Sequence, residues 1–272
     1  MRRTGLRAAD CAPMTPSMRT RSAYGPTWQP LIGLALALAV FGGWVSLHAY
    51  ALFVFELSWA SLPLALTMAL VLCWLSVGLF IVSHDAMHGS LVPGSPRANA
   101  AIGTVLLFLY AGFSFESLRK AHFAHHRHAG TARDPDFDAE NPRAFWPWYA
   151  TFLRRYFGLG SLIWVSCVVV TLWLALDVPV PQLLLLYAAP AIASSLQLFY
   201  FGTYRPHRHA DDAFVDRHQA RSDEFGTLAS FLTCFHFGYH LEHHQYPQLP
   251  WWALPSARRK ADAQQVEEGA GA

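Results

Sequence analysis

The chain of 272 residues carries little charge, and long stretches of it have no basic residue at all. Charged residues make up 14% of the sequence, and neither Lys nor Arg occurs between Ser22 and Pro96 or between Tyr156 and Tyr204. Together with 53% hydrophobic residues, this composition excludes an ordinary soluble domain and indicates a membrane protein. The net charge of +2 also argues against a nucleic-acid-binding protein.

Thiols are scarce, and several common metal-site motifs are missing. The four cysteines show no C-x-x-C spacing, so neither a disulfide framework nor a thiolate metal site is expected. No H-E-x-x-H motif occurs, and no Glu is followed three residues later by His. Zinc hydrolase centres, iron–sulfur clusters and ferritin-like carboxylate sites are therefore disfavoured.

The regions without Lys or Arg are long enough to hold paired membrane spans. Each of their apolar runs approaches the roughly 20 residues that cross a bilayer core. The predicted spans cover about 31–52, 62–82, 159–176 and 183–204. The basic residues lie outside these spans, so the positive-inside bias places both termini and the histidine-rich loops in the cytoplasm.

The predicted fold is an all-α integral membrane protein. We expect four transmembrane helices in two hairpins and a cytoplasmic, histidine-rich helical cap. The apolar run 101–115 is short for a span, and it predicts a re-entrant or interfacial hairpin. Residues 30–258 would form the membrane domain, with flexible cytoplasmic tails at 1–29 and 259–272.

Eight of the 14 histidines fall in three tight clusters beside the apolar runs. Imidazole is a common metal ligand, and residues at i, i+3 and i+4 project to one side of a helix. Convergence of the clusters would supply enough imidazoles for two metal ions with open positions. Imidazole alone admits zinc, copper, iron or nickel. The predicted ligands are His84, His88, His122, His125, His126, His240, His243 and His244.

Other polar residues near these clusters are candidates for supporting roles. His207 or His218 could add a further ligand, and Asp85 and Glu242 could hold ligand rings by accepting their second N–H. Solvated acids that balance nearby arginines are an equal alternative for both carboxylates. His48 and His128 are expected to be interfacial rather than ligands.

The segments around the histidines resemble a known family. They are HDAMHG (84–89), HFAHHRHAG with DPDF (122–137), FGTYRPHR (201–208), DRHQARS (216–222) and CFHFGYHLEHHQYPQLPWW (234–252). The histidine motifs are similar to those of the membrane fatty acid desaturase and hydroxylase superfamily. Their flanking residues resemble, more narrowly, the bacterial β-carotene ketolases.

This resemblance implies a non-haem centre of two iron ions that uses O₂. Electrons would come from an external soluble donor, either a ferredoxin or an NAD(P)H-dependent reductant. The C4 methylene of a β-ionone ring of β-carotene would become a ketone by two hydroxylations and a dehydration, giving echinenone- or canthaxanthin-type products. Zeaxanthin is a second candidate substrate, and the location would be the bacterial inner membrane.

The family comparison leaves one ligand and several functions open. Stearoyl-type desaturases carry an Asn-x-x-x-His element before the last cluster, and this chain lacks it, so His207 and His218 both remain candidates. A carotenoid 3-hydroxylase or a fatty acyl desaturase is the alternative within the same enzyme class. A membrane metal carrier is the non-enzyme alternative, disfavoured because the last three predicted spans contain no Asp, Glu, Lys, Arg or His.

Overall fold

The computed structural model describes residues 28–210, 214 and 217–270, and this part of the chain contains helices and no strand. The predicted all-helical class is confirmed, whereas the predicted tail at 1–29 lies almost wholly outside the described residues. The helices are α1 (Trp28–Phe53), α2 (Leu62–His88), α3 (Pro96–Ala111), α4 (Phe115–His128), α5 (Phe145–Tyr156), α6 (Leu159–Ala175), α7 (Val180–His207), α8 (Thr227–Cys234), α9 (His240–Gln245) and α10 (Leu254–Ala270).

Three of these helices, α1, α2 and α7, are each long and apolar enough to cross a membrane. Helix α7 contains two π-helical turns, Leu184–Ala188 and Tyr200–Tyr204. Such turns are rare and are frequent at functional sites. The second one lies directly before His207, the last residue of the helix.

The other apolar helices form two sharply bent pairs. Helices α3 and α4 meet at 99°, and α5 and α6 meet at 87°. Gly112 follows helix α3 as its C-cap and has a left-handed φ of 67°, and a Cβ there would lie 2.7 Å from the Trp164 side chain. Glycine is therefore required at this bend for both conformation and space.

The bent pairs bear directly on the predicted number of spans. Helices α1, α2 and α7 contain three of the four predicted spans, and α6 covers the fourth but belongs to a bent pair. By length and composition, the described residues have three spanning helices, or up to five if each bent pair is one span. The four-span arrangement and the re-entrant hairpin at 101–115 stay predictions.

Helix α2 is the central helix and delivers the first histidine cluster. It packs against α1, α3 and α7, and Gly78 permits an approach so close that a Cβ would lie 2.7 Å from the Phe235 ring. Its C-terminal end carries His84 and His88, and Gly89 follows as a C-cap in a left-handed conformation. The remaining histidine clusters lie on α4 and α9, which surround this end of α2.

The last helix, α10, continues as far as Ala270, and the flexible tail at 259–272 stays a prediction. Its sequence is rich in Ala, Arg, Gln and Glu, which have high helix propensity. Arg258 pairs with Asp262 one turn later, with Nε and Oδ1 3.1 Å apart. It also donates to Glu242 at 3.1 Å, so α10 is attached to the third histidine cluster.

Candidate metal centre

Nine histidine side chains converge at the end of α2, in two adjacent groups. Within each group the nearest ring nitrogens all lie within 4.8 Å of one another. The first histidine group is His84, His88, His122, His126 and His243, and the second histidine group is His125, His207, His240 and His244. The structure thus brings together all eight predicted ligands and adds His207.

Helical geometry explains how each cluster contributes to the groups. Residues four apart share a helix face, and accordingly His84 with His88 and His122 with His126 belong to the first group. His240 and His244 likewise share the second group. In both H-x-x-H-H clusters the residue at i+3 belongs to a different group from the residues at i and i+4. Each of these two clusters therefore links the groups and holds them next to each other.

The first group is joined through the Nε2 atoms of its rings. His122 Nε2 lies 2.7 Å from His88 Nε2 and 3.0 Å from His126 Nε2, which is 3.0 Å from His243 Nε2. The His84 ring is buried, and neither of its nitrogens has a hydrogen-bond partner among the described residues. Several ring nitrogens thus meet at one place. Each neutral imidazole has only one N–H, so hydrogen bonds between these rings cannot satisfy all of the nitrogens.

The second group shows the same convergence, and two of its rings are oriented by hydrogen bonds to residues outside the group. His125 Nδ1–H donates to Asp134 at 3.0 Å, and His207 Nδ1–H donates to the Gln219 carbonyl at 2.8 Å. A neutral imidazole has one N–H, so in the neutral form of both rings Nε2 presents a lone pair. These atoms lie 3.1 Å from His244 Nε2 and 2.9 Å from His240 Nε2.

Asp134 is a carboxylate bonded to the second group that sequence reasoning missed. Its buried carboxylate accepts from His125 and from the backbone N–H groups of Gly130 and Asp136. Burial opposes ionisation, but the hydrogen bond and charge of His125 lower the pKa of Asp134 below its usual value. Trp148 supports the loop, since its indole N–H donates to the Asp136 carbonyl at 2.7 Å. The DPDF segment after the second cluster was the available signal.

The predicted supporting carboxylates lie close to the groups but have other partners. Asp85 Oδ1 is 3.8 Å from His84 Nδ1, beyond hydrogen-bond range, and Oδ2 accepts from the Trp251 backbone N–H at 3.1 Å. Glu242 accepts from the Ser222 hydroxyl and from Arg258.

The candidate His218 does not join either group, and neither does His48, which was not expected to be a ligand. The His218 ring centroid is 5.9 Å from that of His244, but His218 belongs to neither set of converging nitrogens. His48 lies on α1, where its Nδ1 is 3.0 Å from the Trp44 carbonyl.

The donor set fits transition-metal ions that prefer nitrogen ligands. Burial, and then the neighbouring imidazoles, lower the pKa of His240, His243 and His244 well below the usual value. These rings are therefore neutral at physiological pH, as metal ligation requires. Cations placed among the converging lone pairs would satisfy the nitrogens that protons cannot.

A narrow chamber of about 90 Å³ lies against the histidines. Its polar end is formed by His84, His122, His125, His240 and the Asp136 carboxylate. Asp136 accepts a hydrogen bond from Tyr156, and burial raises the pKa of its carboxyl. Apolar side chains form most of the other walls: Phe80, Phe113, Phe152, Leu198 and Phe237.

The fold and the site together define an all-helical membrane protein with a candidate metal centre formed by two adjacent groups of histidines. The family model described as "Fatty acid desaturase" matches residues 57–167 and 161–271. The chain belongs to the fatty acid desaturase family and, within it, to the β-carotene ketolases.

Curated relatives support this placement over most of the chain. A β-carotene ketolase of Paracoccus sp. strain N81106 is 50% identical over 233 residues, 84% of this chain and 94% of the relative. A β-carotene ketolase of Paracoccus sp. strain PC1 is 47% identical over 86% of this chain and 96% of the relative. A zeaxanthin 4-ketolase of Chlamydomonas reinhardtii is 37% identical over 88% of this chain and 56% of the relative.

Proposed function

We propose that this protein is a membrane oxygenase that converts the C4 methylene of a β-ionone ring to a ketone. The observation that carries the proposal is the meeting of two all-histidine groups at the polar end of an apolar chamber, in a chain similar to β-carotene ketolases. A C40 hydrocarbon is confined to the bilayer, so the enzyme must receive the ring end from lipid.

The two histidine groups would each hold one iron ion. The eight histidines expected from the sequence and His207 would be the ligands. The members of the first histidine group would hold one ion, and those of the second group would hold the other. When bound, the iron pair would supply activation of O₂. His218, Asp85 and Glu242 would act around the site, because none of them points a ligand atom into either group.

The chemistry sets what must reach the site. Each hydroxylation takes one O₂, two electrons and two protons, and it releases one water. A second hydroxylation at the same carbon gives a geminal diol, whose loss of water leaves the ketone. The electrons would come from a soluble donor on the cytoplasmic side of the bacterial inner membrane, where we also place both termini.

The task of the protein's own residues is to bind the ring and exclude water. The phenylalanine-rich walls of the chamber suit a hydrocarbon, and its polar end consists largely of histidines from both groups. A ring inserted to the end of the chamber would therefore place its outer methylene carbon beside the metal centre, and a closely fitting wall would fix its orientation.

The function is tested by expressing the protein in a bacterium that produces β-carotene and analysing pigments by chromatography. Accumulation of 4-keto products is expected; hydroxylated carotenoids without ketone, or new double bonds in membrane lipid, would select a 3-hydroxylase or a desaturase instead. Unchanged pigment and lipid, despite protein in the membrane and a working reductant, would contradict an oxygenase. Iron content of the purified protein separates the enzyme from a metal carrier, which need not retain two iron ions.

Filling the chamber should impair catalysis without removing metal. Leu198→Trp places a larger ring in the chamber wall, and we expect at least about tenfold less ketocarotenoid because the substrate ring is displaced. Ile192→Trp is the matched control, since Ile192 is on the same helix and 61% exposed. Pigment yield and iron content are measured for both variants. Equal product from Leu198→Trp and Ile192→Trp would show that the ring binds elsewhere.

Removing the carboxylate behind His125 should weaken the second histidine group. Asp134→Asn exchanges the acceptor that fixes the His125 ring, and we expect iron affinity or activity to fall by about 10- to 100-fold. Asp138→Asn is the control, because Asp138 is a buried acid in the same loop that bonds Asn141 and the Glu140 backbone. Iron affinity is measured by competition with a chelator, and an unchanged affinity in Asp134→Asn would argue against this supporting role.

A further inference from the structure

A second opening, separate from the chamber, reaches the histidine groups from the protein surface. We call it the basin: it has a volume of about 510 Å³ and shares no lining residue with the chamber. Its lining residues are Arg119, Phe123, His126, Arg127, His244 and Pro247. A molecule seated in the basin would approach the metal centre from the side that the substrate ring does not use.

The floor of the basin contains one histidine from each group. His126 belongs to the first group and His244 to the second, and their rings stack with centroids 4.2 Å apart and an interplanar angle of 27°. His126 is only part-buried. A partner in the basin therefore comes close to both groups at the same place, which is what delivery of electrons to a paired metal centre needs.

The rim of the basin is positively charged and held in place. Arg119 Nε donates to the Met87 carbonyl at 3.1 Å, and its guanidinium lies 5.0 Å from the centroid of the Phe123 ring. Arg127 Nε donates to the Phe123 carbonyl at 3.1 Å. Neither arginine forms an ion pair with a carboxylate within the described part of the chain. The rim therefore offers two ordered positive charges around an aromatic contact.

We propose that the basin is the docking site of a soluble, acidic one-electron carrier. The inference rests on the proposed function, because two such carriers would each give up one electron for every hydroxylation. Complementary charge steers association and fixes the orientation of a partner. Phe123 and Pro247 give the carrier a small apolar contact between the arginines.

The test measures binding of an acidic [2Fe–2S] ferredoxin to the iron-loaded protein in discs of zwitterionic lipid, at low and high salt. Arg119→Glu with Arg127→Glu should weaken binding at low salt by about tenfold or more and flatten its salt dependence. Arg119→Gln with Arg127→Gln should have a smaller effect of the same sign. Arg154→Glu is the matched control, because Arg154 is exposed on α5 and outside the basin.

Two further readouts distinguish carrier docking from damage to the metal centre and from binding to lipid headgroups. Iron content and ketocarotenoid formation driven by dithionite should be the same in the double variants and the parent protein, so lost ferredoxin binding cannot reflect a damaged site. Equal ferredoxin binding by all variants would overturn the proposal. An effect of the arginines that occurs only with anionic lipid would assign them to headgroups and also overturn it. Failure of every reductant to give product would instead contradict the proposed oxygenase, while the binding measurement would still stand.

Discussion

Replacement of His125 by alanine is expected to abolish ketocarotenoid formation. His125 is buried in the second histidine group, with Nε2 3.1 Å from His244 Nε2 and Nδ1 bonded to Asp134. Its loss would remove a proposed ligand and leave the Asp134 carboxylate with only its backbone donors. The effect should exceed the roughly 10- to 100-fold change typical of supporting residues, and about half of the bound iron should be lost. Pigment analysis and metal content measure the two effects.

The control for this substitution lies on the same helix. His128 is in the last turn of α4 but belongs to neither histidine group, so His128→Ala should retain most activity and iron. His48→Ala, distant from the site on α1, should do the same. Substantial turnover by His125→Ala, or equal losses in His128→Ala, would show that the ligand assignment is wrong.

The sequence predicts which histidines meet, but not how they divide between two groups. Helical spacing alone suggests that the histidines at i, i+3 and i+4 of a cluster act on one side. In the structure His122 and His126 join one group and His125 the other. The division depends on where α2, α7 and α9 approach α4, which is a tertiary property that local spacing does not contain.

Span prediction succeeds where a helix is straight and is indecisive where it bends. Hydropathy records the apolarity of α3 and α6 but carries no information about direction. The left-handed backbone at Gly112 turns the chain by 99° before α4. As a result the second histidine cluster lies on α4, which runs across α3. The position of the cluster cannot be predicted from its distance along the sequence.

Supporting residues are the least predictable part of the site. Glu242 is two residues from His240 and Asp85 is next to His84, yet among the described residues the carboxylate bonded to a histidine of the groups is Asp134, nine residues after His125. Trp148 lies in an aromatic stretch that is typical of a membrane interface, but it is fully buried and bonds the Asp136 carbonyl. Proximity in sequence is a weak guide where a loop folds back onto a helix.

The second large effect is expected at His207, where the family comparison left two candidates open. His207 is buried, its Nδ1–H donates to the Gln219 carbonyl, and its Nε2 lies 2.9 Å from His240 Nε2. The π-helical turn Tyr200–Tyr204 precedes it and helps to set its position at the end of α7. His207→Ala should therefore remove iron from the second group and reduce ketocarotenoid formation to a similar extent as His125→Ala.

His218→Ala is the decisive comparison for that prediction. His218 is beside His244, with ring centroids 5.9 Å apart. It could therefore act either as a ligand or as a supporting residue, and the two roles predict different iron contents for the alanine variant. If His207 is the ligand, His218→Ala should keep both iron ions and lose at most the roughly 10- to 100-fold in activity that a supporting residue contributes. Loss of iron from His218→Ala with retention in His207→Ala would reverse the assignment. Because both variants change one buried or part-buried imidazole to alanine, iron stoichiometry separates the two roles even when both lose activity.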